Sequence, residues 1–140
     1  LAQQYFDQGL AFLYAFDATE AFLSFRSAAD YDPQCAMPYW GMAMAQGPRV
    51  NDEFPKPTRG IKALSALKDA RMRLTRASPV ERALIEALGA RYTDPPATDR
   101  RTLDRDYADA MRRVWTMFPN DAHGVGCRRT LAADSRHSGW

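Results

Sequence analysis

Cys127, His123 and His137 are the residues with the clearest potential for metal chemistry, because thiolate and imidazole are the usual zinc ligands. His123 and Cys127 stand four apart, yet they sit in "HGVGCRRTLAADSRHSGW", a glycine-rich stretch with no evident fourth ligand. No metal and no cofactor is expected there. Cys35 opens a helical stretch between "PQ" and "AM", where a thiol pKa can be lowered, but no histidine lies within 80 residues to act as its base. It reads as a partly buried packing residue. The two cysteines are far apart and neither has a neighbour, so the spacing indicates neither a zinc pattern nor a disulfide framework. Asp30 and Asp32 could form a carboxylate pair for acid–base work, but "DYDP" is also how a helix ends before a turn, and turn chemistry is the expectation. With no glycine-rich phosphate loop, "HExxH" or "GxSxG", no catalysis is expected of the chain itself.

The elements that would position any site follow from hydrophobic periodicity. "YFDQGLAFLYAFDATEAFLSFRSAADYDP" holds two apolar runs at helical spacing, broken at "FDAT", where Asp17 can cap the second run and Glu20 follows three residues on. Ala21, Phe25 and Ala28 share one face of the second helix, and Pro33 ends it. Tyr5, Gly9 and Phe12 form the facing stripe on the first. The 4-3-5 spacing of Ala21, Phe25, Ala28 and Pro33 recurs as Tyr107, Met111, Val114 and Pro119, and without the proline as Ala63, Leu67 and Ala70. First-helix counterparts are Tyr39 with Met42-Ala43, and Leu88-Gly89 with Tyr92. Three helical pairs are predicted, with helices near 2–15, 18–31, 35–46, 57–76, 79–93 and 99–118 and no sheet. "SPVE" marks the fifth start, with Ser78 as cap, Pro79 at the first helical position and Glu81 reaching back.

Composition bounds the functional classes. A chain of 140 residues, 46% hydrophobic, suffices for one soluble domain with a real core, and no stretch reaches the roughly 18 apolar residues of a membrane span. It opens on Leu1 without a charged-then-apolar leader, as expected of a fragment or of a chain whose leader has been removed, and its compartment, cytoplasmic or periplasmic, stays open. Net charge is only +2, but residues 1–47 carry one basic residue, Arg26, against Asp7, Asp17, Glu20, Asp30 and Asp32. The basic excess lies beyond them, centred on "RMRLTR". Aromatics are not interleaved with those cations, so nucleic acid is not the expected partner. A homo-oligomer joining the basic part of one copy to the acidic first pair of another is a second option.

The paired helices resemble the tetratricopeptide repeat family, whose unit carries an aromatic, Leu-Gly and an aromatic on its first helix, then Ala, a large apolar residue, Ala and Pro on its second. Residues 2–35 match that unit, with Gln8 in place of the Leu; the later two units are more degenerate and carry the longer insertions "GPRVNDEFPKPTRG" and "TDPPATDRRT". The first repeat is also similar to that of a bacterial family of uncharacterised tetratricopeptide-containing proteins. The resemblance covers about residues 2–121 and implies an all-α, right-handed superhelical array of three hairpins, with residues 122–140 as an irregular or divergent tail. It implies no activity.

Carrying the family's concave-groove positions onto this chain gives Gln3, Phe6, Leu10 and Leu13, then Met37, Trp40 and Met44, then Ala83, Glu86 and Ala90. The resemblance therefore implies an interaction module whose mostly apolar groove, built around Phe6, Leu10, Leu13, Met37, Trp40, Met44 and Glu86, binds a peptide or helix of a protein partner. The Lys and Asn that clamp a peptide carboxylate in chaperone-binding members have no counterpart at these positions. Alternatively the groove is filled, by the inserted segments or by chain lying outside this sequence. The rival from another class is a helical scaffold around a small-molecule or metal site, or a fragment of a larger enzyme. As the tail lacks an apolar stripe, it is expected to hang loose, and its removal after Ala122 to leave stability unchanged.

Overall fold

A computed structural model describes residues 1–48, 56–95, 99–121 and 125–127. Among them the chain is all-helical: α1 (Ala2–Tyr14), α2 (Ala18–Tyr31), α3 (Met37–Ala45), α4 (Pro57–Arg71), α5 (Pro79–Gly89) and α6 (Arg101–Met117), with a 3-10 turn at Leu74–Arg76 and no strand. The predicted bounds hold to within a few residues, except that the fourth helix stops at Arg71. There the Arg73 side chain leaves the helical path to donate to the carbonyl of Pro33 at 2.6 Å and to lie over the Tyr39 ring. Residues 49–55 of the first insertion and 96–98 of the second lie outside the described residues.

Local chemistry sets the helix ends. Three residues join α1 to α2, and Phe16 takes a positive φ of 62°, so that Asp17 N–H bonds Phe12 O and Phe16 N–H bonds Leu13 O, closing α1 with orphan carbonyls satisfied. Asp17 then caps α2 by accepting from Glu20 N–H at 3.1 Å. At α5 the predicted capping box is complete: Ser78 Oγ accepts from Glu81 N–H, and a Glu81 oxygen accepts from Ser78 N–H.

Helix pairing follows from the repeated stripe. Ala21, Phe25 and Ala28 of α2, and Ala63, Leu67 and Ala70 of α4, are all fully buried; on α6 Val114 is buried, with Tyr107 and Met111 half-buried. Tyr5 near the start of α1 stacks on Tyr31 at the end of α2, 5.4 Å between centroids, as an antiparallel hairpin requires. Each helix of a pair packs on its mate, and α3 also packs on α1, α2 and α5. Phe25 is what locks the first pair to the second. A Cβ on Gly9 of α1 would come within 2.6 Å of its ring, and one on Gly41 of α3 within 2.5 Å, so both helices must offer glycine for the ring to enter.

The central position of α3 explains its composition. "MPYWGMAMA" has no charged residue, and Met37, Pro38, Trp40, Gly41, Met42, Ala43 and Ala45 are all buried. A helix apolar all round is a core helix rather than the lining of an open surface.

Candidate functional site

α1, α3 and α5 lie side by side, and the face they share begins at their N-terminal ends. Three residues from the far end of the chain cross it there. Val125 is half-buried against the core, Gly126 is buried, and Cys127 forms a disulfide with Cys35, just before α3 and 92 positions earlier. This overturns two expectations: the cysteines are paired, and residues 125–127 of the tail are docked. Their docking owes little to apolar periodicity. It uses backbone donors and a covalent bond, with Gly126 N–H donating to Glu81 Oε1 at 3.0 Å and Cys127 N–H to Gln3 Oε1 at 2.7 Å.

Gly126 is required by this path. Its φ is +142°, open to glycine and strained for other residues, and a methyl at its Cα would run into the Gln3 carboxamide. The strap thus presents two consecutive N–H groups to acceptors on two helices. Glu81 was expected only as half of a capping box, yet its second oxygen holds the strap, and the residue is 6% exposed. Burial pushes its carboxyl pKa up; the N–H groups of Ser78 and Gly126 act the other way and are outweighed.

That direction fixes a pH dependence. A carboxyl whose pKa is raised on folding binds its proton more tightly in the folded chain, so its stabilising contribution is full below the unfolded pKa and is lost as pH rises through the folded one. Urea unfolding of the native chain and of Glu81→Gln, compared from about pH 4 to about pH 7, is therefore expected to show native stability falling relative to the variant as pH increases. A difference that is flat or rises with pH would contradict the assignment.

Beside the strap opens a cleft lined by Leu1, Ala2, Tyr31, Asp32, Arg76 and Cys127. Arg76 forks onto both oxygens of Asp32, at 3.0 and 2.9 Å, joining the basic part of the chain to the acidic first pair within one molecule. Ligand atoms of Asp32, Cys35 and Cys127 lie within 4.8 Å of one another, but both sulfurs are spent in the disulfide and the carboxylate is engaged by Arg76. His123 and His137 lie outside the described residues.

Farther along the shared face the residues differ in exposure. Phe6, Met37 and Trp40 are buried, Leu10, Leu13, Met44, Ala83 and Ala90 are half-buried, and Glu86 is exposed beside Arg71. Tyr107 of α6 reaches Met44, its hydroxyl 3.6 Å from Sδ, while Arg91 lies over the Tyr107 ring. Tyr92 donates to Ala43 O at 3.0 Å, and burial pushes its pKa up to about 12, so it stays a neutral donor tying the end of α5 to α3. Among the described residues of this face, Leu10, Leu13 and Met44 are apolar, half-buried and packed against the core.

Comparison with known proteins finds no matching family model, no matching curated protein and no matching solved structure. Among the described residues no helix is long and apolar enough to cross a membrane.

Proposed function

We propose that the chain is a tetratricopeptide-like array of three helical hairpins that acts as an interaction module, binding a peptide or helix of a protein partner along the face shared by α1, α3 and α5, without catalysis of its own. The observation that carries this reading is the strap: a short segment of the chain lies on that face as a bound peptide would, held through backbone N–H groups by Gln3 and Glu81. The recurrence of one burial pattern on α2 and α4, and the side-by-side packing of the first helices of the pairs, support the array. Against the metal-scaffold reading stands the pairing of Cys35 with Cys127, which removes both thiolates.

Selection from a displayed peptide library with the full chain tests the proposal. Peptides enriched on the native protein should bind Leu13→Lys at least tenfold more weakly, because a cation would then replace half-buried apolar surface, while its melting temperature stays within a few degrees. Enrichment indifferent to Leu13 and Met44, or metal found in the purified protein by elemental analysis, would defeat it.

A further inference from the structure

We propose that the Cys35–Cys127 disulfide is a thiol-addressable latch, and that opening it frees the Gln3 and Glu81 acceptors for the backbone of a glycine-containing peptide supplied by a partner. The proposal rests on the interaction reading above and adds to it a partner chemistry and a control.

The two cysteines differ in exposure, Cys35 being buried and Cys127 half-buried. Cys35 is 5% exposed, whereas Cys127 lines the cleft formed with Leu1, Ala2, Tyr31, Asp32 and Arg76. A thiolate arriving through that cleft therefore meets Cys127 Sγ first. With a dithiol as reductant, attack at Cys127 forms a mixed disulfide there and expels Cys35 as its thiolate. The reductant's second thiolate then attacks its own sulfur in the mixed disulfide, closing a disulfide within the reductant and releasing the Cys127 thiolate. Two electrons pass from the dithiol to the protein, and the two protons that the dithiol gives up end on Cys35 and Cys127.

Once the sulfurs part, the polar ties of this segment among the described residues are Gly126 N–H on Glu81, Cys127 N–H on Gln3 and the Cys35 thiol, whose Sγ lies 3.6 Å from Gly126 O. The clamp they leave has a defined preference. Two acceptors on different helices take consecutive N–H groups, and the Gln3 carboxamide lies where a side chain on the first of those residues would project. A partner peptide must therefore place glycine at that position and a residue with a free N–H after it. The strap itself shows the match, as the sequence Val125-Gly126-Cys127.

The test uses the full chain, oxidised or treated with dithiothreitol, together with a capped Ala-Val-Gly-Ser-Ala peptide in which serine prevents covalent capture. Amide exchange at Gly126 and Cys127 should speed up at least tenfold on reduction, relative to Ala28 and Ala43 in the helices, and helical circular dichroism should persist. The peptide should then shift the resonances of Gln3 and Glu81 in the reduced chain and bind the oxidised chain at least ten times more weakly. Unchanged Gly126 protection, or loss of helical signal on reduction, would overturn the latch. Peptide shifts on Leu10, Leu13 and Met44 but not on Gln3 would overturn the clamp and leave the interaction reading standing. Gln3 shifts that come with dimerisation in the absence of peptide would identify residues 125–127 of a second copy as the occupant and overturn the peptide proposal. Failure of the reduced chain to bind this peptide at all would overturn the clamp, and the library selection decides the wider reading separately.

Discussion

Cutting the chain after Ala122 is expected to lower the melting temperature of the oxidised protein by roughly 10 °C, corresponding to a loss of about 2–4 kcal/mol. The periodicity of the tail argues for no effect, but periodicity measures only apolar docking. Cys35 and Cys127 close a loop across 92 positions, and a cross-link over roughly 100 residues restricts the unfolded chain by up to about 4–5 kcal/mol in the loop-entropy account. Measured effects are usually smaller, hence the lower range. The cut also removes the N–H groups that Glu81 Oε1 and Gln3 Oε1 accept from, leaving Glu81, a buried carboxyl with its pKa raised, with the N–H of Ser78 on its other oxygen. Full-length Cys127→Ser separates the contributions. If the cross-link dominates, that single substitution reproduces most of the loss, whereas a cut chain that melts with the native one would show that the strap carries no stability.

How much of this was legible in the sequence depends on which physical signal each feature leaves. Side-chain periodicity survives in sequence: the Ala21–Phe25–Ala28 stripe, its recurrence at Ala63–Leu67–Ala70, the Asp17 cap and the Ser78–Glu81 box all appear where the spacing put them. The strap leaves no such trace. Its hydrogen bonds come from backbone N–H groups, which every residue but proline has, and its disulfide joins two cysteines whose separation matches no motif. Gly126 belongs to a glycine-rich stretch, and composition alone does not tell a loose segment from a backbone that must approach a neighbour closely. Gln3 and Glu81 were each assigned one role, a groove position and a helix cap, and the strap that unites them depends on three N-terminal helix ends lying together, which is a tertiary fact.

The residues carried over as groove contacts divide for a related reason. A helical stripe shows which residues share a face, and cannot say whether that face meets another helix or solvent. On α1 the stripe runs from buried Phe6 to half-buried Leu10 and Leu13, so one face serves as core at one end and as surface at the other. On α3 a sharper signal was present: nine residues without a charge indicate a helix enclosed by neighbours.

Trp40→Ala is accordingly expected to cost about 3–5 kcal/mol of stability, the range for truncating a large buried aromatic. Trp40 is 8% exposed, on a helix that packs against α1, α2, α4 and α5, so removing the indole opens a cavity where few neighbours can move to fill it. Met37 before it and Gly41 after it are also buried, and Gly41 is already in close contact with the Phe25 ring, which limits collapse from that side. The same substitution in an open groove would leave melting unchanged and abolish binding, because an aromatic anchor at an interface centre contributes about 2 kcal/mol or more to affinity and little to the fold. Denaturant unfolding and peptide binding measured on one preparation separate the two cases. An early-melting Trp40→Ala beside a stably folded Leu13→Lys that has lost its peptides would place Trp40 in the core and the recognition surface on the half-buried strip of Leu10, Leu13 and Met44. A Trp40→Ala protein as stable as the native chain would mean that α3 faces solvent in solution and that its enclosure by the neighbouring helices is wrong.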